Sequence, residues 1–290
     1  MTTVFGVDHS PWVQAAVFAL VDQGHEVRLR PLPPLGYFLE RGLVMPVYSH
    51  DDGSWTADSL AIMDDLGIPQ GDRAAIEADF KELERLFLAY SLHRTGPGRR
   101  WAFLRAWSRM ADVPMTVGSI AGRALLCAHF TLLIEFARLR VLRPDQREPS
   151  PSRLIEGLAP WSARLEATPF LGGDAPGASD YALLGQIECM SSGPTDWAMD
   201  AVIAHEPLTQ WLRRMHDRLS HHPTMYSRRV FEDDEGPKGA GPLAQAWFLL
   251  WTALIVLLPP LSLPILGYAL SRRKRAPNRS GARLRSARSE

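Results

Sequence analysis

The chain has 290 residues, enough for a core of ordinary size and for two domains. Its formal net charge is zero, so no overall field favours nucleic acid, and two distant cysteines, Cys127 and Cys189, exclude a disulfide framework. The charge is unevenly spread: the segment from Ser271 onward has eight basic residues and one acidic residue. The N-terminus has neither a basic flank nor a long apolar core, so we predict no secretory or transit signal.

The first predicted elements form a β-α-β unit. Apolar residues over 3–7 predict a strand, and Ser10-Pro11 predicts a helix start, because serine caps helices and proline is tolerated at their first position. Apolar residues over 27–29 predict the next strand. The Ser10 hydroxyl is thereby placed at a helix N-terminus, where an anion or a thiolate is stabilised. From this stretch alone, a purely structural cap explains Ser10 equally well.

A strand that contains a proline follows. Residues 43–48 predict this strand, and Pro46 within it requires an edge position or a special turn such as a cis X-Pro bond. A turn and a short strand over 51–56 complete a predicted hairpin. Asp58 and Ser59 then open a helical run, and the N–H groups at this helix start are expected to face a ligand.

This order of elements resembles the thioredoxin-like N-terminal domain of the glutathione transferase superfamily. The resemblance implies that the Ser10 hydroxyl donates a hydrogen bond to the glutathione thiolate. It implies that the Met45 backbone pairs with the cysteinyl part of glutathione beside a cis Pro46, and that Asp58 and Ser59 hold the γ-glutamyl group. A hydroxyl donor and a helix N-terminus favour the thiolate, which attacks electrophiles. Glutathione is therefore the expected co-substrate.

Helical patterns dominate the second part of the chain. They predict helices over 72–90, 101–110, 120–141, 153–167 and 207–219. Charged residues interrupt the apolar pattern of 120–141, which therefore predicts a core helix and not a membrane span.

The block around Ala178–Gly185 resembles the folding signature of the superfamily's all-α C-terminal domain. Gly177 occupies the cap position and Asp180 the third helical position, so only the carboxylate half of a capping box is present. The histidines lack metal-ligand spacing, and no metal site is predicted.

The C-terminal part predicts a membrane anchor. Residues 243–270 contain no charged side chain, whereas a bilayer core requires about 20 apolar residues. Two topologies are open: a kinked tail anchor, which we favour because it reaches full membrane depth, and a re-entrant hairpin turning at Pro259-Pro260. In the hairpin, the basic tail could also bind anionic lipid.

Together these patterns predict an α/β thioredoxin-like N-terminal domain, an all-α helical-bundle domain and a C-terminal transmembrane segment. The predicted divisions are a thioredoxin-like glutathione-binding domain over 1–70 and an all-α transferase-like domain over 71–230. A flexible linker over 231–242, a membrane segment over 243–270 and a basic tail over 271–290 follow. We expect a membrane-anchored, cytoplasm-facing protein that conjugates glutathione to a hydrophobic small molecule, with membrane lipid as a partner, no nucleic acid and a possible homodimer.

One alternative function is open. The chain could be a non-catalytic binding or organising module that keeps the glutathione transferase fold and is tethered to the membrane. The intact Ser10, Pro46 and Asp58-Ser59 favour the enzyme. The lysine or glutamine that the superfamily usually has shortly before the cis-proline is absent, because 43–44 is Leu-Val, and this favours the module.

Overall fold

The computed structural model describes residues 1–42, 44–50, 53–68, 71–90, 107–108, 116–142, 150–192, 198–219, 221–232, 240–257, 264, 267–268 and 271. The strands within these ranges are β1 (Thr2–Phe5), β2 (Val27–Arg30), β3 (Val47–Ser49) and β4 (Trp55–Ala57). The helices of the sheet domain are α1 (Pro11–Asp22), α2 (Leu35–Arg41) and α3 (Ser59–Asp65). The later helices are α4 (Arg73–Tyr90), α5 (Val117–Val141), α6 (Pro151–Ala167), α7 (Ala178–Ser191), α8 (Ala198–Ile203), α9 (Glu206–Leu219) and α10 (Pro242–Leu257), with a 3₁₀ turn at Tyr226–Val230.

The four strands form one mixed sheet in the order β2-β1-β3-β4. Strand β1 is parallel to β2, with α1 as the crossover, and antiparallel to β3, which pairs antiparallel with β4. The predicted β-α-β unit and hairpin are thus confirmed. Every described helix from α4 onward follows the sheet in the chain, which confirms the α/β and all-α parts of the predicted fold class.

One prediction near the hairpin is wrong, and one helix was missed. The strand predicted over 43–48 begins only at Val47, because Pro46 has no N–H group to donate to the sheet. Helix α2 was not predicted. Its only buried residue is Tyr37, so its sequence lacks the apolar face from which a helix is recognised.

Helix α1 joins the two domains. Ten of its twelve residues are buried, because the sheet domain covers one side and α7 the other. Gly185 of α7 permits this contact: a Cβ atom there would lie 2.2 Å from the Pro11 carbonyl oxygen and 2.7 Å from the Ala15 nitrogen. After β1, Gly6 permits a second close contact with the same end of α1: a Cβ atom on Gly6 would lie 2.3 Å from a Val13 methyl. The position of the α1 N-terminus is therefore fixed by two glycines.

The charge-free C-terminal segment begins with α10, which packs on α5 through Phe248. Among the described residues, no helix is both long and apolar enough to cross a bilayer. The spanning anchor predicted over 243–270 therefore has no support in the structure. The two topologies proposed for it differ in how the chain passes Pro259-Pro260. This pair of residues lies outside the described part of the chain, and so does the basic tail after Ser271.

Candidate functional site

Three chain segments meet at one edge of the sheet. The antiparallel register places Phe5, at the end of β1, opposite Val47, at the start of β3, and Val47 opposite Ala57, at the end of β4. The residues that follow β1, precede β3 and follow β4 therefore share this edge. These are the segments in which the sequence places Ser10, Met45-Pro46 and Asp58-Ser59.

The Met45-Pro46 peptide bond is cis, as predicted. The Pro46 carbonyl oxygen accepts a hydrogen bond from the Asp58 N–H at 3.0 Å, which joins the start of β3 to the start of α3. Met45 is half-buried between two apolar clusters of the core. The two segments predicted to hold the backbone and the γ-glutamyl group of glutathione are thus in direct contact.

Asp58 has an unusual backbone conformation. Its φ is +86°, and it is the only residue other than glycine with a positive φ in the described part of the chain. Such a conformation costs an aspartate about 1 kcal/mol or more and is enriched at binding sites. The carboxylate is exposed, and its Oδ1 caps α3 by accepting from the Leu60 N–H at 2.9 Å. The Asp58 carboxylate therefore lies at the surface where α3 begins.

Ser10 and Ser59 lie at the starts of α1 and α3. Ser10 takes the extended conformation of an N-cap, but its side chain forms no capping hydrogen bond. Ser59 is the first residue of α3 and is buried. Neither hydroxyl has a hydrogen-bond partner within the described ranges, although helix α1, which follows Ser10, contacts α3. The Ser10 side chain therefore does not cap α1, although the residue occupies the N-cap position.

His9, the neighbour of Ser10, belongs to the interior. Its Nδ1 is hydrogen-bonded to the Ser192 hydroxyl at 2.5 Å, and its carbonyl oxygen accepts from the Cys189 thiol at 3.3 Å. These partners lie at the end of α7, in the helical domain. His9 therefore fixes the loop before α1 against that domain.

A buried charged group beneath this loop was not predicted. The Asp8 carboxylate accepts a hydrogen bond from the Tyr226 hydroxyl, and Arg123 of α5 is fully buried with its Nη1 donating to the Ser108 carbonyl oxygen at 2.6 Å. Burial lowers the pKa of Arg123, and the nearby Asp8 carboxylate acts in the opposite direction. The one signal in the sequence was an arginine inside the apolar pattern of α5. The Asp8–Tyr226 hydrogen bond holds the loop that carries Ser10 against the 3₁₀ turn.

Apolar side chains surround the same edge. Val7, three residues before Ser10, packs with Trp107 and with the α5 residues Ile120, Ala124 and Cys127, and Met45 contacts this cluster. Tyr90 and Trp101 were expected beside an acceptor pocket because of the family resemblance. Tyr90 is buried, and burial raises the pKa of its hydroxyl; Trp101 lies outside the described residues.

No protein-family model matches the chain, and no curated protein is detectably similar to it. Among solved structures, a glutathione transferase F7 from Populus trichocarpa is 14% identical, with a TM-score of 0.40 over 80% of this chain and 98% of that chain. Gtt2 from Saccharomyces cerevisiae is 13% identical, with a TM-score of 0.44 over 77% and 98%. A glutathione S-transferase from Rhodospirillum rubrum is 15% identical, with a TM-score of 0.43 over 85% and 99%. At these scores the likenesses do not assign this chain to a family.

Proposed function

We propose that the chain binds glutathione at this sheet edge and transfers it to a hydrophobic electrophile. The observation that supports the proposal is that the segments carrying Ser10, Met45-Pro46 and Asp58-Ser59 leave the sheet at one edge, where the Pro46 carbonyl oxygen accepts a hydrogen bond from the Asp58 N–H. Asp58 is suited to an ammonium group and Ser59 to a carboxylate, the two charged groups of a γ-glutamyl end. The Met45 backbone pairs with the cysteinyl part.

The proposed reaction requires little of the protein. The glutathione S–H group loses its proton to solvent, and the resulting thiolate accepts a hydrogen bond from the Ser10 hydroxyl, which lowers the thiol pKa. The sulfur then attacks an electrophilic carbon. With 1-chloro-2,4-dinitrobenzene as a probe, a C–S bond forms, the C–Cl bond breaks and chloride leaves. Ser10 is a hydrogen-bond donor in this scheme and never a nucleophile.

The proposal includes a membrane location. Apolar electrophiles partition into bilayers, and the charge-free residues 243–270 with the basic tail after them favour association with a cytoplasm-facing membrane surface. The apolar cluster beside Met45 would then accept a substrate that arrives from the lipid. A homodimer belongs to the same proposal.

The test compares two serines that each precede a proline at a helix start. The purified full chain is applied to immobilised glutathione, and conjugation of 1-chloro-2,4-dinitrobenzene is then followed for the wild type, Ser10→Ala and Ser150→Ala. A hydrogen bond to a charged group contributes about 1.5–3 kcal/mol, so Ser10→Ala should lower kcat/KM roughly 10- to 100-fold. The pH profile of kcat/KM should shift upward, because the thiol ionises less readily. Ser150→Ala should match the wild type.

Three outcomes are informative. Failure of the wild type to bind glutathione would overturn the proposal. Retention without turnover would overturn catalysis and leave the non-catalytic binding module. Equal activity of Ser10→Ala and the wild type would remove Ser10 from the chemistry while leaving the binding site in place.

A further inference from the structure

Helix α10 is apolar over most of its surface, and the described part of the protein covers one side of it. Its inward face is formed by Ala244, Phe248, Trp251 and Ile255, which recur every three or four residues and pack on α5. Phe248 is 1% exposed and is the only buried residue of the helix. This face docks α10 on the protein.

The outward face of α10 is a continuous apolar stripe. It consists of Leu243, Trp247, Leu250, Leu254 and Leu257, with exposed fractions of 72%, 38%, 48%, 39% and 75%. The exposed residues between them, Ala246 and Ala253, are also apolar. A surface helix of a water-soluble protein normally carries polar residues on its outer face, and exposed apolar patches of this kind mark interaction sites. The stripe is therefore a candidate interaction surface.

We propose that this stripe docks into the headgroup region of an anionic bilayer, with α10 lying in the membrane plane while its inward face stays on α5. A 16-residue helix is about 24 Å long, shorter than the hydrocarbon core of about 30 Å. The contact with α5 also keeps the helix against the protein body. An in-plane helix of this kind inserts its apolar side about 5–10 Å into the interface.

The charges favour a bilayer over a second copy of the chain. Residues 243–270 have no charge, and residues 271–290 have eight basic residues and one acidic residue. Basic residues next to a docking helix are attracted by anionic lipid. In a second copy of the chain, the same segment would carry the same positive charge. Trp247 on the stripe is also the side-chain type that is enriched at membrane interfaces.

This docking would orient the candidate site. The cluster that receives Phe248 also contains Val7 and is contacted by Met45, so the apolar side of the site edge is continuous with the docked helix. A lipid-dissolved electrophile would then enter from the membrane side. The inference rests on the proposed membrane association but not on glutathione binding.

The test uses the full chain and two matched substitutions, Leu250→Glu on the stripe and Ile203→Glu at the end of α8. The two side chains are 48% and 45% exposed, so neither charge disturbs the core. Binding is measured by co-sedimentation with vesicles of phosphatidylcholine alone and of phosphatidylcholine mixed with phosphatidylserine. We expect the wild type and Ile203→Glu to bind the mixed vesicles and to be released by high salt. Leu250→Glu removes a leucine that the bilayer would bury and adds a charge, so it should weaken vesicle binding at least about tenfold.

Depth is measured with brominated lipids. Bromines near the headgroups should quench the wild type more than bromines near the bilayer centre, and Trp247→Phe should remove most of the difference. Stronger quenching from the bilayer centre would overturn the in-plane orientation. Equal binding of Leu250→Glu and the wild type, or no binding to mixed vesicles, would overturn the docking surface. A wild-type dimer that Leu250→Glu converts to a monomer, without vesicle binding, would assign the stripe to a second copy. Vesicle binding is independent of thiol conjugation, so each proposal can fail alone.

Discussion

Helices α1 and α10 are both rich in apolar residues, yet the fold uses them in opposite ways. Ten of the twelve residues of α1 are buried, whereas only one of the sixteen residues of α10 is. Helix α1 is apolar because the sheet domain and α7 enclose it. Helix α10 is equally apolar, but α5 covers only one of its faces. An apolar helix is therefore enclosed only where the fold supplies a second surface, and in α10 most of the apolar side chains stay exposed.

The contact between α1 and α7 should tolerate no added volume. In Gly185→Ala, the new methyl group would lie 2.2 Å from the Pro11 carbonyl oxygen, so the backbone of one helix must move. We expect the free energy of unfolding to fall by about 3 kcal/mol or more, as measured by urea denaturation. Gly118→Ala is the control, because nothing lies within 4 Å of its Cβ position and alanine favours helix, so stability should be unchanged or slightly higher. Equal stability of the two variants would contradict the close contact.

The enclosed side of the molecule should also depend on pH through Glu188 of α7. Burial raises the pKa of Glu188 from 4.5 to about 7, although hydrogen bonds from Ser227 oppose the shift. Between these pKa values the folded protein holds a proton that the unfolded chain has released. Stability should therefore decrease as the pH rises from 4.5 to 7, by up to about 3 kcal/mol.

Glu188→Gln removes this ionisation while keeping the size of the side chain. Urea denaturation across this pH range should show a clearly flatter dependence for Glu188→Gln than for the wild type. Identical pH dependence of the two proteins would show that Glu188 does not titrate between the folded and unfolded states.

The open side should respond locally. Phe248→Ala removes the only buried side chain of α10, but α10 packs chiefly on α5 and the α1–α7 contact does not depend on it. We expect amide hydrogen exchange in α10 to increase strongly, while the free energy of global unfolding changes by no more than about 1 kcal/mol. A cooperative loss of the whole fold would show instead that α10 belongs to the same folding unit as α1 and α7.

The smallest effect on stability is expected at Ser10. Its hydroxyl makes no capping bond, so Ser10→Ala should lower the free energy of unfolding by less than about 0.5 kcal/mol. The Ser150 hydroxyl accepts a hydrogen bond from the Arg153 N–H at 3.3 Å, so Ser150→Ala should lower it by about 1 kcal/mol. Thermal and urea denaturation of the two variants measure this difference. A larger loss for Ser10→Ala would assign its hydroxyl to the fold.

Much of the α/β unit was predictable because its signals are local. Ser10-Pro11 marks the start of α1, alternating apolar residues mark the strands, and the block around Ala178–Gly185 marks α7. The predicted site residues were also close to one another in sequence terms, within the first sixty positions. Helix α2 was missed because it has almost no buried face, and the Asp8–Tyr226 contact was missed because 218 residues separate its two side chains.

The C-terminal segment also shows that a local sequence pattern cannot predict contacts between distant parts of the chain. The absence of charge over 243–270 could not indicate which surfaces this segment contacts. The membrane anchor was inferred from composition alone. The contact of Phe248 with α5 depends on where α5 lies, which no local pattern contains.

The sequence by itself determined that a helix begins at Pro11 and approximately where the later long helices lie, because capping, proline and apolar periodicity act over a few residues. It also placed a serine before a proline twice, at 10–11 and at 150–151. Only the tertiary structure decided that the Ser150 hydroxyl caps its helix, whereas the Ser10 hydroxyl makes no capping hydrogen bond. Only the tertiary structure brought Pro46 and Asp58 to the end of β1, because strand pairing is a contact between residues distant in the chain.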